Sequence, residues 1–73
     1  MEKTDLNQLT WFRIVAEERN FTKAAARIGV AQSTLSHAIK QLEIRMGIRL
    51  LTRTTRSVST TPAGERLLKT ITP

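Results

Sequence analysis

The sequence predicts a mainly α domain: three helices closed by a two-stranded hairpin, followed by the start of a fourth helix. Three observations predict it. Apolar residues recur with helical period and meet glycine stops at Gly29 and Gly47, the period changes after Gly47 to short β-favouring runs, and a Thr61-Pro62 pair opens another helix. With 73 residues the chain has room for one small core.

Leu6, Leu9, Phe12, Val15 and Ala16 recur at three- and four-residue steps, the stripe of an amphipathic first helix, with Glu17, Glu18 and Arg19 after it. Asn20 and Phe21 interrupt the pattern. Thr22 is the expected N-cap of a short second helix that runs through Lys23 to Ala26 and ends at Ile28. Gly29 can adopt the left-handed conformation that ends a helix and turns the chain without a Cβ penalty. The third helix is expected from Gln32 to Met46, with Leu35, Ile39, Leu42 and Met46 facing inward at spacings of four, three and four. Gly47 ends it, and Arg45 in the last turn suits the helix dipole.

Past Gly47, Leu50 to Thr52 and Val58 to Thr60 flank a polar Arg53 to Ser57 stretch, which predicts a hairpin. Thr61 as a capping hydroxyl and Pro62 at the first helical position predict the fourth helix. Its stripe, Leu67, Leu68 and Ile71, is cut off by the end of the chain, so a continuation after Pro73 is expected.

Charge points toward a partner. The chain has 12 Lys+Arg against 6 Asp+Glu, a net +6. Such an excess fits a polyanion, nucleic acid above all, because each cation that meets a phosphate releases a condensed counterion; it also fits charge kept for solubility. The absence of cysteine removes disulfides, thiolate chemistry and cysteine zinc sites, and suits the cytoplasm. Met1 to Leu9 is polar, so neither a signal peptide nor a membrane span is expected.

Catalysis finds little support. Ser36 and His37 are adjacent, but neighbours on a helix project about 100° apart, and no orienting carboxylate or oxyanion site accompanies them. A lone histidine cannot hold a structural zinc, three scattered glycines write no phosphate loop, and Glu2, Asp5, Glu17 and Glu18 read as solvated helix ends. No enzyme, cofactor, metal, membrane contact or small-molecule effector is expected on this stretch.

Two helices joined by a short turn containing glycine form a helix-turn-helix unit. Ala25, four residues before Gly29, is small where the helices cross closely. Leu35 supplies the apolar contact from the next helix, with Ile28 and Val30 around the turn. An ordinary helical hairpin with a glycine stop fits the same spacing.

With the stripe inward, Gln32, Ser33, Ser36, His37 and Lys40 fall on the outer face of the third helix, where amides, hydroxyls and cations can reach base edges or phosphates in a major groove. No acidic residue occurs from Thr22 to Gln41. Arg45, Arg49, Arg53 and Arg56 add cations without a carboxylate among them, a basic wing able to lie on phosphates or in a minor groove. Arg45 and Arg49 fit structural pairs with Glu43 or Glu65 equally well. The alternative from another class is a protein-protein dimerisation or docking module, to which Leu67, Leu68 and Ile71 would contribute. RNA binding is disfavoured, because Trp11, Phe12 and Phe21 suit a core or an interface better than a stacking platform.

The chain resembles the winged helix-turn-helix of the LysR-type transcriptional regulators. The resemblance rests on Phe21-Thr22 with Ala24-Ala25, then Val30, Gln32-Ser33, Leu35-Ser36, Ile39, Leu42-Glu43 and Gly47, and continues through Leu50, Arg53 and Thr61-Pro62-Ala63-Gly64. It implies a double-stranded DNA partner, Thr22 on a phosphate, Arg53 approaching the backbone from the wing, and a homodimer formed through the linker helix. The expected DNA site is then Gln32, Ser33, Ser36 and His37 at the bases, and Thr22, Thr34, Lys40, Arg53, Thr54 and Arg56 at the backbone. Residues 1–60 are expected to be the DNA-binding domain and 61–73 the start of the linker helix.

Four departures stand out. His37 occupies a position where the family commonly has arginine, and imidazole cannot make arginine's bidentate guanine contact. Ala31 stands where a Ser or Thr cap is frequent, Leu51 replaces a common phenylalanine, and Thr60 replaces a common apolar residue. Trp11, just off the first stripe, is expected to bury against a partner of the linker helix.

Overall fold

The core forms around α1 (Lys3–Glu18), in a computed structural model that describes residues 3–54 and 57–71. Phe12 and Val15 of its stripe are fully buried, and Leu9 packs against them; the Leu6 side chain lies outside the described residues. Then follow α2 (Phe21–Ile28), α3 (Gln32–Met46), β1 (Leu51–Arg53), β2 (Val58–Thr60) and α4 (Pro62–Ile71). α1 packs on both α2 and α3, and the two strands pair antiparallel with Leu51 opposite Thr60 and Arg53 opposite Val58. Leu35, Ile39, Leu42, Leu50, Leu51 and Val58 complete a single core shared by helices and wing. The architecture is the expected one, a winged helix-turn-helix.

The cap of α2 is Asn20 and not Thr22. Asn20 has extended backbone (φ −157°, ψ 120°) and its side-chain oxygen accepts from the Lys23 N–H, so the helix begins at Phe21 and buries that ring. Gly29 (φ 91°) and Gly47 (φ 68°) end α2 and α3 in the left-handed region, as their positions suggested. Ala31 is the N-cap of α3 (Gln32–Met46) and makes no side-chain cap bond. Met46 shares the azimuth of the α3 stripe but is 45% exposed, because the core runs out before the last turn of the helix.

Glu17 and Glu18 are more than solvated helix ends. Arg27 of α2 donates to Glu17 at 2.9 Å and to Glu18 at 3.1 Å, and Arg13 reaches Glu17 at 3.3 Å. The two carboxylate hydrogen bonds hold the Arg27 guanidinium above its usual pKa. Past Glu18, Arg19 takes a positive φ of 57° and turns its carbonyl toward the wing, where Val58 N–H donates to it at 3.2 Å. Gln8, also on α1, is buried at 3% exposure with its side-chain oxygen unpartnered.

The wing is anchored from two sides. Glu43 of α3 accepts from the Leu50 and Leu51 N–H groups at 2.8 and 3.1 Å, and Arg49 comes within 3.9 Å of the same carboxylate. Thr61 caps α4 by accepting from Gly64 N–H at 3.1 Å, and its hydroxyl donates to the Arg49 carbonyl at 2.6 Å. Gly64 is buried against the Leu50 carbonyl so closely that a Cβ would overlap the oxygen. Thr60, in place of an apolar residue, donates to Glu65 of α4.

Candidate nucleic-acid interface

The first three turns of α3 carry the predicted reading face. Leu35, Ile39 and Leu42 point into the core, which leaves Gln32, Ser33, His37 and Lys40 exposed. Thr34 is exposed as well, but at 100° per residue it lies about 160° round the helix from Ser36, on the opposite flank. Ser36 is partly buried at the edge of the wing.

β1 begins one residue later than expected, and this decides where Arg53 goes. In a turn its side chain would have no fixed direction; inside a strand it shares a face with Leu51, which is buried against the helices. Arg53 is therefore directed at the helical body. Its guanidinium carbon sits 4.0 Å from the centroid of the Phe21 ring, and Nη1 donates to the Ser36 hydroxyl oxygen at 3.1 Å.

The structure gathers three other predicted residues around this arginine. Thr22, Gln32, Arg53 and Thr54 line a polar hollow of ≈ 180 Å³, together with Asn20 and Ser57. Thr54 also closes the wing turn: its backbone N–H donates to the Ser57 carbonyl at 2.9 Å, and its hydroxyl accepts from Ser57 N–H at 3.0 Å. On the other side of Arg53, an open groove of ≈ 560 Å³ between α3 and the wing passes Ser36 and Lys40 and ends at Ile44 and Ile48. Ser33, Thr34 and His37 line neither space, and Arg56 lies outside the described residues.

The carboxylates whose side chains the structure describes are engaged within the fold. Glu17 and Glu18 hold Arg27, Glu43 holds the wing backbone, and Glu65 accepts from Thr60. The exposed surface from Gln32 to Lys40 thus offers amide, hydroxyl, imidazole and ammonium groups with no carboxylate between them, the donor set that phosphates and base edges accept. Among the described residues no helix is long and apolar enough to cross a membrane, and no cluster of three His, Asp or Glu side chains could hold a metal ion.

The Arg49–Glu43 pair is as expected, but the Glu43 bonds to the wing backbone, the Asn20 cap and the Phe21 platform are not read from the sequence. The signal for the platform is the two-residue spacing of Leu51 and Arg53, which puts both on one face of a strand that starts at Leu51.

An antiparallel wing packed beside a glycine-turned helix pair defines a winged helix-turn-helix protein. Residues 6–65 match the family model described as bacterial regulatory helix-turn-helix protein, lysR family, and the chain belongs to that family. It is 53% identical over 73 residues to the HTH-type transcriptional regulator PgrR of Escherichia coli strain K12, covering 100% of this chain and 24% of that protein. The chain thus spans about a quarter of the length of the curated relatives it matches. Among solved structures it is similar to the BenM DBD/benA site 1 DNA complex, with TM-score 0.86 and 44% identity over 96% of this chain and 78% of that one. The CbnR DBD-DNA complex is similar too, with TM-score 0.87 and 36% identity over 96% of this chain and 77% of that one.

Proposed function

We propose that this chain binds double-stranded DNA with sequence preference, as the DNA-reading part of a cytoplasmic transcription regulator and not as an enzyme. α3 enters the major groove, where Gln32, Ser33 and His37 meet base edges with Ser36 beside them. Thr22, Thr34, Lys40, Arg53, Thr54 and Arg56 hold the backbone. Residues 1–60 form the reading domain, and 61–73 begin a linker helix through which the parent protein forms a homodimer. The observation that carries this reading is the carboxylate-free exposed face from Gln32 to Lys40 lying next to Arg53. It is supported by the similarity to the BenM and CbnR domains, which were solved as DNA complexes.

Binding to a random-sequence duplex, followed by anisotropy across a salt series, tests it. Affinity is expected to fall steeply as salt rises, and selection from a pool of duplexes is expected to return a short preferred half-site. Absence of binding at low salt overturns the reading and leaves the docking module in its place.

A further inference from the structure

We propose that Ser36 and Phe21 are positioning residues for Arg53, so that the wing's hold on the DNA backbone is set from the helical body; this rests on the DNA-binding function above. Taken from the sequence alone, Ser36 belongs with the base readers. The structure gives it other work. Its hydroxyl oxygen is already the acceptor for Arg53 Nη1 at 3.1 Å, and the residue is partly buried at the seam between α3 and β1.

Arginine on an exposed strand ordinarily samples many rotamers, and ordering it against a phosphate carries an entropic cost. Here two contacts within the protein already favour one direction before any DNA arrives. The guanidinium carbon lies over the Phe21 ring, 4.0 Å from its centroid, and Phe21 is itself packed in the core at 6% exposure. One N–H is donated to Ser36, which leaves the other donors of a five-donor fork for a ligand, and Arg53 also lines the hollow shared with Thr22, Gln32 and Thr54. A phosphate seated there meets a cation whose direction is decided by α2 and α3. Removing either holder loosens Arg53 without changing the charge of the protein, and the loss does not depend on base sequence.

A double-mutant cycle on DNA separates this from base reading. Wild type, Ser36→Ala, Arg53→Ala and the double variant are titrated with random duplex and with a selected site across a salt series. Ser36→Ala is expected to weaken both duplexes alike, by about five-fold, and to change nothing further in the Arg53→Ala background. Ser36→Thr restores the hydroxyl and the affinity. Phe21→Leu gives the same sequence-independent loss, and thermal melts of each variant show that the domain is folded. Should Phe21→Leu not fold, Arg53→Lys replaces it: Ser36→Ala is expected to be silent in that background as well. A loss confined to the selected site and additive with Arg53→Ala makes Ser36 a base reader and overturns the proposal, as does a Ser36→Ala variant that binds like wild type. Failure of the wild type to bind any duplex is a different result and overturns the DNA-binding function itself.

Discussion

The two ends of β1 are held by different chemistry. At its base, Glu43 accepts two backbone N–H groups, Thr61 reaches the Arg49 carbonyl, and Gly64 rests on the Leu50 carbonyl. The Glu43 bonds are partly buried and satisfy the backbone of the buried Leu50 and Leu51, so losing them leaves desolvated N–H groups unpaired. At the other end, Arg53 holds Phe21 and Ser36 through an exposed guanidinium, where solvent competes for every bond. A strand of three residues thus separates two tasks: its start keeps the fold together and its finish presents a cation.

The sharpest way to break this division is Gly64→Ala. The new methyl overlaps the Leu50 carbonyl, a backbone atom that cannot step aside, so α4 must shift; we expect about 2 kcal/mol or more of lost stability despite alanine's better helix propensity. That corresponds to a melting temperature lower by roughly 10 °C. A melt unchanged from wild type would contradict the close contact described for the base. Next in size is Glu43→Ala, which leaves the Leu50 and Leu51 N–H groups without their acceptor and should cost about 1–3 kcal/mol in urea unfolding. If it instead leaves unfolding intact and changes only DNA binding, the base and the finish of the strand are not distinct.

Arg53→Ala is the reverse case. Unfolding should move by no more than about 0.5 kcal/mol, while affinity falls for all duplexes and the salt slope flattens by about one charge. A destabilisation comparable to that of Glu43→Ala would show that Arg53 is a structural brace. The smallest effect belongs to Ala31→Ser, which supplies the missing cap of α3 and should add roughly 0.5–1 kcal/mol without touching either end of β1. Its value lies in calibration: it raises stability while the salt slope stays as in wild type.

Much of this was legible in the residues, for local reasons. Leu35, Ile39 and Leu42 carry helical period in their spacing, and Gly29 and Gly47 stop their helices where left-handed backbone is needed. The exposed face of α3 followed once that stripe was turned inward. What was not legible depended on atoms brought together from a distance. Asn20 and Thr22 are both good caps by type, and the extended backbone at Asn20 decides between them. Glu43 is readable as a partner for Arg49, but its two backbone partners, N–H groups beyond the glycine turn, come within reach only when the wing is folded back. Met46 kept its period but lost its neighbours. The site was readable as a set of exposed residues, but which of them were already engaged with each other was not: Arg53 and Ser36 stand 17 residues apart and meet only because β1 extends to Arg53.

The tie from Glu43 to the start of β1 also makes the distance between helix and hairpin a property of the protein alone. A reader of fixed span behaves as a gauge. A duplex whose groove already matches that span is expected to bind best, and base steps differ in how readily they adopt a given groove width. Selection at positions no side chain touches would then follow from the stiffness of the DNA.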